Sequence, residues 1–306
     1  MNVMVIGATT PLGAAIADHV LARRDTALVV AVGRERESRA PAHDRLVYRS
    51  VDLTHARAVH DLVWGTAREL AIDTVVHVAQ HRDTRTASTA TRAQNVTAAT
   101  ELVRACRDHP TIRRLVYRSF ADVYAVRPDT AELVDEDAPL DFEPGAPHWL
   151  RNRVEADLAV CSHLGEPLAI AVLRCAEIFA PECGSSLWNA LSARTCLRPL
   201  GFDPMWNLLS IADAASAFSA ALASGATGVF NIPGADTLPL SRAFEESVRV
   251  AIPIPRAAIP RARRLRAPAL LDGSRARREL GYAPHDTIAW PMPWWRRLLD
   301  ELAAMR

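Results

Sequence analysis

The strongest constraint on this chain is an alternation in its first half. Short apolar runs at 3–6, 28–32, 45–48, 74–78, 115–118 and 168–173 are separated by stretches with helical spacing at 12–23, 56–70, 95–108 and 151–163. Runs that are apolar along their whole length, rather than at every second residue, belong to strands covered on both faces, and the intervening helices supply the cover. The right-handed crossover rule then leaves a doubly wound, Rossmann-type parallel sheet as the expected α/β fold. After about residue 175 the alternation loosens and proline becomes frequent from 253 to 268, as in a smaller C-terminal region laid over the sheet. At 306 residues there is ample chain to bury a core.

Composition narrows the chemistry. The 36 Lys+Arg against 35 Asp+Glu give a net charge of +1, so nothing global points to nucleic acid. All 36 basic residues are arginine. Without lysine the chain cannot form a Schiff base, build a phosphate-binding P-loop lysine, or place a lysine beside a catalytic tyrosine. Five cysteines (Cys106, Cys161, Cys175, Cys183, Cys196) are odd in number, widely spaced and free of any C-x-x-C pair. They read as reduced thiols with no metal site. The N-terminus lacks the pattern of a signal peptide and no apolar run has membrane-spanning length, so a cytoplasmic protein without a transmembrane segment is expected.

The first strand leads into Gly7-Ala8-Thr9-Thr10-Pro11-Leu12-Gly13. Glycines six apart between a strand and a helix frame a dinucleotide loop, which aims a helix N-terminus at a pyrophosphate. Thr10 stands where the middle glycine belongs, and its Cβ hinders close approach of a phosphate. Thr10 can instead cap the helix, with Pro11 at its first position, and offer a hydroxyl to phosphate. A tight turn without ligand is the competing reading. At the end of strand two an acid ordinarily meets the ribose of NAD, and here Gly33 or Arg34 falls at that place. Arg34 and Arg36 suit a 2′-phosphate, which leans toward NADP over NAD, and two solvated arginines explain them equally well.

With these segments in place, the chain resembles the extended short-chain dehydrogenases/reductases, the NAD-dependent epimerase/dehydratase group, over nearly its whole length. Asp52-Leu53 is similar to the pair that meets adenine. The stretch from Asp73 through His77 and Ala79 to Gln80 resembles the strand-four signature, and Asn95-Val96-Thr97-Ala98-Ala99-Thr100 the helix-four motif. Similar blocks follow at Arg113 through Tyr124, at Leu173-Arg174 with Phe179-Ala180-Pro181, at Asp213-Ala214-Ala215, at Gly228-Val229-Phe230-Asn231 and at Leu280-Gly281-Tyr282 with Pro284. The resemblance implies about seven sheet strands, a nucleotide-binding domain from 1–174 and 205–232, and a substrate-type domain from 175–204 and 233–306. It also implies cofactor contacts from Gly7, Thr10, Pro11, Leu12, Gly13, Arg34, Asp52, Leu53, Ala79, Asn95 and Arg153.

The same resemblance exposes a departure. The family exchanges a proton through a tyrosine whose pKa is lowered by a lysine, beside a serine or threonine that hydrogen-bonds the reacting oxygen. Counting along the motifs puts Phe120 on the hydroxyl position, Trp149 on the tyrosine and Arg153 on the lysine; an alternative register puts Pro147 and Arg151 on the last two. Ser119 is one residue early, which on a strand points to the other face. Phe120 has no donor or acceptor, and the indole of Trp149 only donates. Arg153 keeps a charge but releases no proton. Phe120 and Trp149 together form an apolar floor or fill the nicotinamide slot. His148, His81 and Glu177 are candidate substitutes for acid–base work, against a simple reading of His148 on a solvent-facing helix start and His81 in a loop.

Two surface features remain. Arg256, Arg261, Arg263, Arg264 and Arg266 form a basic, proline-interleaved run suited to a diphosphate or an anionic surface, or simply solvated. Trp290, Trp294 and Trp295 suit packing on the protein body, or a homodimer, partner or membrane-interface patch. The expected function is that of a nucleotide-binding pseudoenzyme or non-redox protein (sensor, partner or scaffold) bound to a nucleotide-linked small molecule. The alternative is an active NADP-dependent reductase, epimerase or dehydratase of a sugar nucleotide or ketone with non-standard acid–base residues.

Overall fold

The computed structural model describes residues 1–36, 43–80, 89–125, 133–193, 195–201, 203–247, 250–255, 270–288 and 290. His81, the basic run from Arg256 to Arg266, and Trp294 and Trp295 lie outside the described residues.

The chain opens with β1 (Asn2–Ile6), α1 (Pro11–Ala22), β2 (Leu28–Gly33), β3 (Leu46–Ser50), α2 (Ala56–Asp61) and β4 (Thr74–His77). It continues with α3 (Thr89–Arg92), α4 (Ala98–Asp108), β5 (Arg114–Phe120), β6 (Leu133–Val134), α5 (His148–Cys161), β7 (Ala169–Cys175) and β8 (Glu177–Ile178). Then come α6 (Ser186–Leu191), β9 (Thr195–Leu200), β10 (Met205–Leu209), α7 (Ile211–Ser224) and β11 (Gly228–Ile232). Last are β12 (Asp236–Pro239), α8 (Leu240–Ser247), β13 (Val250–Pro255) and β14 (Leu270–Leu271).

Seven strands form the main sheet in the order β11-β7-β5-β4-β1-β2-β3, every pairing parallel. The doubly wound Rossmann expectation is therefore met, and the chain reverses direction across the sheet between β1 and β4, where such folds open a crevice for ligand. Strand residues alternate between two cores. Val3, Val5, Val76, Val116 and Leu173 face one with α1 and α7, while Met4, Ile6, Val75, Leu115 and Val172 face the other with α4 and α5. Two of the helical stretches differ from single α-helices: α2 runs into a π-helical turn at Leu62–Ala67, and another at Ala93–Thr97 joins α3 to α4.

After β7 the chain builds a small sheet of β12-β10-β8 and pairs β13 with β9. Residues 205–209 thus belong to this region, and the return to the main sheet is made by α7 and β11. Two ties hold β11 and α7 to the early strands. Arg114 at the start of β5 donates to the carbonyls of Gly225 (2.9 Å), Ala221 (2.6 Å) and Ala226 (2.8 Å). The buried Asn231 on β11 donates to Val134 O at 2.9 Å and accepts from the Tyr124 hydroxyl at 2.7 Å. A satellite core gathers Phe179, Leu187, Leu191, Leu208 and Phe244. Trp290 packs there, its ring 5.1 Å from that of Phe179, as the body-packing reading of the tryptophans expects. Among the described residues no helix is long and apolar enough to cross a membrane.

Candidate functional site

The glycine loop is built to admit a phosphate. Gly7 has φ +98°, and a Cβ there would sit 2.7 Å from the Ala79 amide nitrogen. A Cβ on Gly13 would sit 2.1 Å from Gly7 O, so α1 packs against the loop only because that residue lacks a side chain. Thr10 caps α1: its hydroxyl accepts from Gly13 N at 2.9 Å and donates to Gly7 O at 2.8 Å, with Pro11 at the first helical position. The hydroxyl proton is therefore spent inside the loop, which leaves only the oxygen's lone pair and the helix N-terminus facing outward.

At the end of β2, Gly33 is forced by its neighbours. A Cβ there would lie 2.3 Å from Thr9 Cγ2 and 2.6 Å from the Tyr48 hydroxyl, so a side chain at that position requires both to shift. Arg34 next to it is exposed and lies 4.0 Å from Asp52. Thr54 donates to Asp52 through its backbone N–H at 3.0 Å and its hydroxyl at 2.8 Å, and these bonds hold the Asp52 carboxyl below its usual range. Gly7, Thr10, Arg34, Asp52, Leu53 and Ala79 line one cleft of about 280 Å³. Gln94 also reaches it, whereas Asn95, the expected contact, is buried in the π-helical turn. Pro11 and Gly13 shape the loop without lining the cleft, and Leu12 and Arg153 belong to the other end of the site.

That other end is nearly closed. Phe120 ends β5, and the Arg153 guanidinium of α5 lies 3.7 Å from the centre of its ring. Arg153 is also ion-paired with Asp122, both side chains almost fully buried. Two cavities flank this stack, each of about 10 Å³. One is bordered by Thr10, Leu12, Val78 and Gln80, the other by Asp122 and Glu177, and both by Arg118, Phe120 and Arg153. A space of that size holds about one water. The residues at the glycine loop thus fit the adenosine and pyrophosphate portion of a dinucleotide, while among the described residues the space beside Phe120 is narrow.

The contact of Arg153 with Phe120 selects the register with Trp149 and Arg153 over Pro147 and Arg151, since Arg151 points to solvent. Trp149 does not fill the slot, contrary to the expectation of two aromatics there. It packs beside Val123, Ala146, Leu150 and Val154, with the Arg153 guanidinium 5.1 Å away. His148 is exposed at the start of α5, its ring 2.9 Å from an Arg151 Nη, and lines neither cavity. The conceivable His148–Glu177 pair is therefore not assembled. Glu177 does reach the site, partly exposed as a residue. Burial of its carboxylate pushes its pKa up, against bonds from Ser185 Oγ (2.6 Å) and Leu187 N (3.1 Å).

Ser119 points away from the cleft, as strand alternation requires, and donates to the buried Asp157. Asp157 also accepts from Arg174 Nε at 3.0 Å and Nη2 at 2.7 Å, and Arg174 in turn donates to the Tyr124 hydroxyl at 3.0 Å. This network clamps α5 to β5 and β7. Sequence reasoning missed Arg118 and Asp122. Arg118 could have been found by period, two residues before Phe120 on β5, whereas Asp122 lies in the 3-10 turn Ala121–Val123 that follows and no strand period reaches it. Among the described residues no group of three or more His, Cys, Asp or Glu is placed to hold a metal.

Residues 3–232 match the NAD dependent epimerase/dehydratase family. The chain is 30% identical over 250 residues to a 3-diazoavenalumate denitrifying reductase of a Streptomyces species, covering 79% of each chain. It is 28% identical to an uncharacterized protein of Mycobacterium tuberculosis over 83% of this chain and 67% of that one. Among solved structures it is similar to DesIV, a dTDP-glucose 4,6-dehydratase from Streptomyces venezuelae with NAD bound. There the TM-score is 0.72 and the identity 21%, over 94% of this chain and 93% of the other.

Proposed function

This chain belongs to the NAD dependent epimerase/dehydratase family, and on that premise we propose that it is a pseudoenzyme-like, non-redox member that holds a dinucleotide by its adenosine half. The observation that carries this reading is the contrast between a cleft of about 280 Å³ at the glycine loop and cavities of about 10 Å³ at Phe120. Gly7 and Gly13 let the helix N-terminus approach a pyrophosphate, and Asp52 and Leu53 border the adenine end. The exposed Arg34, standing beside a glycine where the ribose-binding acid is ordinarily found, favours a ribose 2′-phosphate, hence NADP over NAD. At the family's three catalytic positions, as the motifs place them, no side chain exchanges a proton as a tyrosine would. Phe120 is inert, and Arg153 stays charged and is held by Asp122.

The test compares whole dinucleotides with their adenosine halves. Calorimetric titration with NADP⁺, NAD⁺, ADP-ribose and 2′-phospho-ADP-ribose is expected to show dinucleotide and half-ligand affinities equal within about threefold, since an excluded ring contributes nothing. A dinucleotide advantage above about tenfold, worth about 1.4 kcal/mol, overturns the closed slot. If none of the four binds, the nucleotide reading itself fails.

A second reading is favoured by the relative named as a denitrifying reductase. Bound nicotinamide supplies hydride, and an acceptor that already carries a positive charge takes hydride without a proton from the protein. An active reductase of such a substrate would not need the missing tyrosine, but Phe120 and Arg153 would have to part to admit the ring. Consumption of NADPH with any electron-poor acceptor would establish this reading in place of the first.

A further inference from the structure

Arg118 carries a charge that no ion pair among the described residues neutralises, and its guanidinium lies 4.7 Å from the centre of the Phe120 ring. It stands two residues before Phe120 on β5, so strand alternation sends both side chains to the face of the closed slot. The residue is 6% exposed, and its Nε is sealed from water without a hydrogen-bond partner. Its guanidinium makes one hydrogen bond, from Nη2 to Cys183 O at 3.2 Å. Guanidinium groups have five donors in a planar fork, and a buried one is ordinarily matched by a carboxylate. Of the acids bordering the two cavities, Asp122 holds Arg153, Glu177 accepts from Ser185 and Leu187, and Glu182 is exposed. Among the described residues Arg118 has no ion pair. Desolvation moves its pKa down, against the opposing influence of Cys175, Cys183 and Asp122.

Arg118 also borders both small cavities beside the Phe120–Arg153 stack. Each cavity has room for about one small polar atom, the size of one carboxylate oxygen. The fork suits two coplanar oxygens, and the narrow space disfavours a tetrahedral anion. We propose that Arg118 is the receptor for the carboxylate of a small acidic ligand that docks at the mouth of the closed slot, against Phe120 and Arg153. One of the cavities adjoins the adenosine cleft through Thr10 and Gln80, so the proposal rests on the closed slot of the reading above but does not require a nucleotide in the cleft.

The test titrates the whole protein with acetate, benzoate and inorganic phosphate, read by tryptophan emission and thermal shift, and titrates ADP-ribose in parallel. In the native protein the two carboxylates are expected to bind and phosphate to bind at least tenfold more weakly. Arg118→Gln is expected to weaken the carboxylates by about 10–100-fold, the range for a charge-assisted hydrogen bond, and to leave ADP-ribose unchanged. Should R118Q not fold, Arg118→Lys keeps the charge and removes the fork, and a loss of about tenfold supports the proposal. Failure of the native protein to bind either carboxylate, undiminished carboxylate affinity in R118Q or R118K, or equal affinity for phosphate overturns it. Loss of ADP-ribose binding with carboxylate binding intact would count against the adenosine reading alone.

Discussion

Asp157→Asn isolates what the buried ion pair between α5 and β7 contributes. Asp157 is 0% exposed and Arg174 5%. The carboxylate takes both hydrogen bonds from Arg174 and a third from Ser119. An asparagine keeps the shape, but it removes the charge and turns one acceptor into an NH₂ facing donors. The remaining partners of Arg174 are then neutral: the Tyr124 hydroxyl at 3.0 Å and Glu136 O at 3.3 Å. Stranding one member of a buried pair costs about 3–5 kcal/mol. At about 2–4 °C per kcal/mol for a large domain, the melting temperature should fall by about 6–20 °C. Urea unfolding followed by circular dichroism, with extrapolation to water, measures the loss. Replacing both partners, as Asp157→Leu with Arg174→Met, should cost less than D157N alone, because no charge is then left unpaired. ADP-ribose affinity should be unchanged in D157N at temperatures where the protein is folded, since the open cleft is built from other elements. A loss below about 1 kcal/mol for D157N would refute the argument, placing the pair in the class of weak, solvated ion pairs.

Other substitutions probe the remaining elements. Gly7→Ala meets the Ala79 amide at 2.7 Å with a φ of +98°, so the variant should lose at least about 2 kcal/mol in urea unfolding together with measurable ADP-ribose binding. Phe120→Ser should open the slot, raising NADP⁺ affinity over that of its adenosine half by about tenfold in calorimetry; an unchanged ratio would mean that Phe120 is not the plug. His77 is fully buried, stacked on Tyr117 with 5.3 Å between ring centres, and neither ring nitrogen bonds another residue. Burial lowers its pKa from 6.5 to about 4. Below about pH 6.5 the unfolded chain therefore takes up a proton that the folded chain refuses. Stability should be flat above pH 7 on this account and fall by up to about 3 kcal/mol as the pH drops to about 4. His77→Phe should remove that portion of the slope, and identical pH profiles for the two proteins would sink the assignment.

The main sheet was legible because its strands are buried on both faces: runs such as Val75-Val76 and Leu115-Val116 have no other use in a protein of this composition. The glycine loop was legible because Gly7 and Gly13 answer a local backbone requirement that appears in sequence as spacing. The site's reactive end was only half legible. Motif counting brought Phe120 and Arg153 to one place, but it gave Trp149 the same role, and packing on Val123 and Leu150 turned that ring aside. Asp157 could not be read at all, since its partners Ser119 and Arg174 lie 38 and 17 residues away and no local pattern joins them. The π-helical turns were hidden for a related reason: they keep helical apolar spacing on average while shifting which neighbour, Gln94 or Asn95, faces the cleft.

The edge position of β11 has a consequence for how this protein must be made. Its strand partner β7 ends at Cys175, yet β11 begins only at Gly228, after the small sheet of β8 and β10 has been threaded in between. On the ribosome, the first six strands of the main sheet emerge while one flank of β7 is still bare. Arg114 must wait for carbonyls more than a hundred residues downstream. The nucleotide half is consequently not a fragment that a protease or a stop codon can release intact. A chain ending near residue 174 would carry an open parallel edge and a stranded guanidinium, both of which invite aggregation.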